Sequence, residues 1–147
     1  MKFAKYLEKT TEIAKEEREV LDELSKKSDL NKIEIRAAKS ALQTMIENAI
    51  GKAKRVLKYY NCPVVPARSK DAILFMHDID LIDDETYTNL IKAIGFRNSM
   101  IHDYMDFNED ILKSIVKDRF YMQIYNFLTQ EPNYTKVQLS RIENYAV

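Results

Sequence analysis

The sequence predicts an all-α fold, an up-and-down bundle of about five helices forming a single domain. Three observations lead there. Only two glycines and three prolines occur in 147 residues, so few positions can make the sharp turns of a hairpin-rich sheet. Apolar residues recur at three- and four-residue spacing over long stretches. With 46% hydrophobic and 31% charged residues, the chain has ordinary globular composition and a length suited to one domain, not two. The core is expected over residues 3–131, with a C-terminal extension over residues 132–147.

The elements follow in order. Phe3, Tyr6, Leu7, Ile13, Val20, Leu21 and Leu24 read as one face of a first helix over residues 3–26. Ser28 and Asp29 offer capping side chains for the second. That helix carries a stripe from Ile35 through Leu42, Met45, Ala49, Ala53 and Val56 to Tyr60, about eight turns long. Pro63 and Pro66 then hold an extended connection. Ser69 is placed to cap a short apolar third helix (Ala72 to Met76). Asp83 and Asp84 suit the start of a fourth, by capping and by charge against the helix dipole. The fourth breaks near residues 104–108. A fifth runs through Ile111, Leu112, Ile115, Val116, Phe120, Ile124, Phe127 and Leu128 to Pro132, with room for a short sixth in the tail.

Composition also excludes. No apolar run approaches the roughly 18 residues of a membrane span, and the N-terminus lacks a signal-peptide core, so a cytoplasmic protein is expected. Cys62 is the single cysteine, which rules out an internal disulfide framework and a cysteine-based metal site. Net charge is zero, but residues 1–60 carry 14 basic against 10 acidic residues and residues 61–147 carry 9 against 13. Global charge therefore gives no argument for nucleic-acid binding. A local patch is left, with Lys52, Lys54, Arg55 and Lys58 as candidate RNA-binding residues. The same four would equally complement the C-terminal dipole of the second helix.

The densest chemistry lies in Arg97-Asn98-Ser99-Met100-Ile101-His102-Asp103-Tyr104. Tyr87, Leu90, Ile91 and Ile94 form a core-facing stripe whose next places are Arg97 and Asn98. An arginine cannot shed its proton to enter a dry core, so the stripe must run into a cleft or interface that accepts charge. Gly95, two residues before it, suggests a close approach by another helix, a second subunit or a nucleic-acid backbone, and fits tolerated neutral drift equally well. On an ideal helix Arg97 and Tyr104 share a line, and Asn98 and His102 share a face, while Arg97 and His102 stand about 140° apart. Two copies about a two-fold axis would bring all three residue types to one groove.

That set suits metal-free RNA cleavage. Histidine can take a proton from a ribose 2′-hydroxyl or give one to the departing 5′-oxygen. Arginine can hold the phosphate bidentately. Asn98 would orient the imidazole. No carboxylate cluster at metal-ligand spacing accompanies His102, so neither metal nor cofactor is expected. The same residues at a helix end would also serve a polar dimer interface or a cap. His77, in Phe75-Met76-His77-Asp78, reads as a helix-end histidine beside an acidic turn.

Arg-Asn-x-x-x-His-x-Tyr, preceded by Gly95-Phe96 and followed by the acidic turn Asp106 to Asp110, resembles the signature of the HEPN superfamily. More narrowly it resembles the small HepT-like toxins, whose genes usually sit beside a minimal nucleotidyltransferase antitoxin. The sharp match runs from Lys92 to Val116. The resemblance implies a HEPN-like bundle that homodimerises along the motif helix. It also implies a metal-independent endoribonuclease acting as the toxin of a toxin–antitoxin pair, with Arg97, Asn98 and His102 catalytic. The partner would silence it by attaching adenylate to Tyr104. The alternative is a non-catalytic helical module that binds the nucleotidyltransferase and presents substrate to it.

Overall fold

The computed structural model describes residues 2–103 and 105–145. Seven helices and no strand occur among them: α1 (Phe3–Ser25), α2 (Lys32–Tyr59), α3 (Asp71–Asp78), α4 (Asp84–His102), α5 (Glu109–Lys117), α6 (Tyr121–Thr129) and α7 (Lys136–Glu143). The all-α expectation holds, with two more helices than the sequence suggested.

α2 is the central element, in contact with α1, α3, α4, α5 and α6. Its expected stripe is buried from Ile35 to Leu57. It begins with a capping box: the Asn31 side chain accepts from the Glu34 N–H at 2.9 Å, and the Glu34 carboxylate accepts from the Asn31 N–H at 2.9 Å. Asn31 therefore does the capping expected of Ser28 and Asp29. Asp29 instead accepts from the Leu30 N–H and pairs with Lys113. Ser69 is likewise not the cap of α3. Lys70 holds that position, and it makes no side-chain capping bond. The reading of Asp83 is correct, for its carboxylate accepts from the Thr86 N–H at 2.7 Å.

With so few glycines, the chain ends three helices on other residues in the left-handed conformation: Asn61 (φ 66°), Asp80 (φ 60°) and Arg119 (φ 56°). Each end closes by the same pair of bonds. After α5, the Phe120 N–H reaches the Ile115 carbonyl at 3.0 Å and the Arg119 N–H reaches Val116 at 3.2 Å. That is a Schellman motif, and it divides the expected fifth helix into α5 and α6. The break also changes which residue faces inward. Phe120, read as core, is 51% exposed, and Tyr121 is fully buried in its place.

The extension is docked. Ile142 on α7 is fully buried, Arg141 pairs with Asp80 at 3.1 Å, and the Tyr145 ring meets Phe75 edge-on at 3.8 Å.

Candidate active site

α4 carries the site at its C-terminal end. Leu90 and Ile94 are buried in the core. One turn later the stripe reaches Arg97, whose side chain is 14% exposed and crosses to α2, where Nη1 donates to Glu47 Oε1 at 2.9 Å. Within this chain that carboxylate accepts the charge of Arg97. The pairing is incomplete, because Arg97 Nε is buried with no hydrogen-bond partner among the described residues.

Asn98 and His102, one turn apart, are both exposed, and His102 is the last residue of the helix. The Asp103 N–H donates to the Ser99 carbonyl at 3.0 Å and closes that end. Tyr104 lies outside the described residues. Beyond it, Phe107 packs edge-on against Phe96 at 5.4 Å, and the Lys39 ammonium stands 4.6 Å from the centre of the Phe107 ring. The segment after the motif is thereby pinned to both α4 and α2. Gly95 is exposed, and a Cβ added there would meet nothing within 4 Å. No other helix of this chain makes the close approach that this glycine suggested.

One of the four proposed RNA-binding cations is not at the surface. Lys52 is 3% exposed, and its ammonium donates to the carbonyls of Phe127 (2.7 Å), Leu128 (3.2 Å) and Gln130 (2.5 Å). It caps the C-terminus of α6, where those carbonyls lack helical partners. Burial pushes its pKa down to about 8, opposed by the charge of Glu131. Lys54 donates to the Ala67 carbonyl at 2.6 Å, and the Arg55 guanidinium lies 4.8 Å from the centre of the Tyr6 ring. Only Lys58 is exposed. Lys52 in particular is corrected from surface cation to structural cap. His77 sits as expected, with Nε2 2.7 Å from Asp84 and its ring stacked on Tyr87. Among the described residues, no group of three or more His, Cys, Asp or Glu could hold a metal ion, and no helix is long and apolar enough to cross a membrane.

Sequence reasoning missed a shallow, open groove of about 540 Å³ along the outer face of α2, lined by residues of that helix alone: Arg36, Lys39, Ser40, Gln43, Thr44, Glu47 and Asn48. Spacings of three and four put these polar residues on one face, which a sequence reading takes for ordinary solvated surface. Glu47 was missed because it stands 50 residues from Arg97 and nothing in the spacing couples them.

The chain belongs to the family described as Ribonuclease HepT-like, whose model matches residues 4–131. A 53-residue stretch, 36% of this chain, is 34% identical to the mRNA nuclease HepT of Shewanella oneidensis and spans 40% of that curated relative's length. The fold is similar to that of a tri-AMPylated HEPN toxin from Shewanella oneidensis in complex with MNT antitoxin, with TM-score 0.75 and 20% identity over 87% of this chain and 96% of the other. It is also similar to a toxin–antitoxin structure with AMP-PNP, with TM-score 0.73 and 19% identity over 87% of this chain and 99% of that one.

Proposed function

We propose that this protein is a metal-independent endoribonuclease acting on mRNA in the cytoplasm, the toxin of a pair whose antitoxin is a minimal nucleotidyltransferase. One observation carries the reading. Arg97 reaches a charge-lined groove with donors to spare, and His102 and Asn98 lie exposed at the end of the same helix. A helix end serving only as a cap or surface filler has no need of a buried, incompletely paired guanidinium on the same helix as an exposed imidazole.

In the proposed reaction a ribose 2′-hydroxyl loses its proton and attacks the adjacent phosphorus. The bond to the 5′-oxygen breaks, that oxygen gains a proton, and a cyclic 2′,3′-phosphate is left. Arg97 holds the phosphate and stabilises the charge growing on its oxygens. His102 takes or returns the proton, and in a homodimer the two copies of His102 can divide these tasks. Asn98 orients the imidazole. The attacking group makes the reaction specific for RNA.

Cleavage of labelled mRNA by purified protein tests this. Arg97→Ala and His102→Ala should each lower the rate by about 10² to 10⁴ while the helical spectrum stays intact. Cleavage should persist in EDTA. Retained activity in the His102→Ala protein would eliminate the mechanism.

Silencing is proposed to act through Tyr104, which would take adenylate from ATP as pyrophosphate departs. A phosphate placed there opposes RNA by charge and by bulk. Tyr104→Phe should keep cleavage but escape the partner, with mass spectrometry finding adenylate at Tyr104 in the unsubstituted protein alone. A Tyr104→Phe protein still silenced by the partner would refute this role.

A further inference from the structure

We propose that a single RNA strand enters along the outer groove of α2, with Arg36 and Lys39 on its phosphates, and that Glu47 positions Arg97 until a phosphate displaces it. This rests on the reading of RNA as substrate.

Charge selects the groove. Arg36 and Lys39 line it, Arg97 lies at its end, and Glu47 is its single carboxylate. Three cations against one anion suit a phosphate backbone. The larger cleft between α1 and α6, about 750 Å³, sets Glu8, Glu12 and Glu131 against Lys15 and Lys52, and would repel it. Length also fits: Arg36 and Glu47 are eleven residues apart, about 16 Å along the helix. Ser40, Gln43 and Asn48 add hydroxyls and amides that can bond ribose and base without demanding one sequence.

Glu47 gives the groove its second property. It is 46% exposed, so its ion pair with Arg97 is weak and readily opened. In the ion pair with Glu47, Nε has no acceptor among the described residues, whereas a phosphate taken in a fork by Nε and Nη would satisfy it. The carboxylate therefore competes with RNA for Arg97 and repels the incoming phosphate.

The test measures binding apart from cleavage, by fluorescence anisotropy with a labelled mixed-sequence oligonucleotide in which every ribose is 2′-O-methylated. Arg36→Ala with Lys39→Ala should weaken binding about tenfold and reduce the salt slope by about 1.4, at roughly 0.7 per phosphate contact on a single strand. Glu47→Gln should tighten binding about threefold to fivefold, by analogy with one exposed ion pair. That gain should shrink when Arg97 is already Ala, a coupling that general charge removal would not produce. Unchanged binding in the Arg36/Lys39 variant, loss at Lys58→Ala instead, or weaker binding by Glu47→Gln each overturns the proposal. Conversion of the α2 variants to monomers in sedimentation would also overturn it, by assigning this face to a second copy. Binding that behaves as expected in a protein that never cleaves RNA would leave the track standing and remove the nuclease reading. No binding by any form removes both.

Discussion

Asp22 gathers three donors: Tyr121 on α6, Arg119 in the turn before α6, and Arg18 on its own helix α1. Its Oδ1 accepts from the Tyr121 hydroxyl at 2.5 Å and from Arg119 Nη2 at 3.0 Å, and Oδ2 pairs with Arg18 Nε at 3.3 Å. Burial pushes its carboxyl up, but the hydrogen bonds from Tyr121, Arg119 and Arg18 outweigh it and hold the pKa below the ordinary 3.8. A carboxylate with a depressed folded pKa contributes stability in full above its unfolded value and loses it as pH falls through the folded one. Asp22→Asn should therefore cost about 1–3 kcal/mol at neutral pH, since the buried Tyr121 hydroxyl loses a charged acceptor. It should also flatten the acid limb of the stability curve below about pH 4, measured by urea melts across pH. A variant with an unchanged acid limb would remove Asp22 from the account. At this scale the sequence is half legible. Arg97 was readable because it interrupts a stripe. Lys52 was readable too, three residues after Ala49 and four before Val56 on a buried face, but its charge was given more weight than its position. Glu47 has no comparable mark, because a carboxylate on an outer helix face is the commonest residue there.

At the scale of elements, long stripes and proline stops were legible and helix ends were not. α2 is buried where its periodicity says, and Asp83 starts α4 as its type suggests. The division between α5 and α6 left no trace, because Val116, Phe120 and Ile124 keep the spacing of a single helix. Arginine is a poor residue for φ 56°, and what holds it there is tertiary: its guanidinium reaches both Asp22 and the Tyr121 hydroxyl. Local propensity cannot report a partner 97 residues away. The same Schellman geometry after α2 gives a cleaner test, because Asn61 is exposed at φ 66°. Glycine adopts that conformation without the Cβ clash, so Asn61→Gly should stabilise by about 0.5–1 kcal/mol, and Asn61→Val should destabilise by more than that. Thermal melts of the two variants check the pair. A destabilised Asn61→Gly protein would mean the asparagine side chain contributes more than its backbone angle costs.

At the scale of the whole molecule, the surface around the motif is unlike the rest of a solvated bundle. Ile101 is 40% exposed, Met105 81% and Ile111 51%, all within eleven residues that run past His102. Single exposed apolar residues are ordinary, but a run of them beside a polar pair has the make-up of an interface core with charged neighbours. A Cβ added at Gly95 would meet nothing within 4 Å among the described residues, which leaves its backbone open to a partner. We predict a two-fold homodimer that covers the Gly95–His102 surface, so that like sites meet across one groove. A stable association needs about 800 Å² from each partner, so Met105 and Ile111 beyond α4 should be drawn in. Sedimentation velocity at micromolar concentration should find a dimer. Ile101→Asp with Met105→Asp should convert it to a monomer whose melting remains cooperative, because neither side chain belongs to the core. If the two copies of His102 share the work of proton transfer, that monomer should also lose cleavage while its active-site residues are all present. A wild-type monomer, or a dimer that both charges leave intact, would place the interface elsewhere and return the task of assembling Arg97 and His102 to a single chain.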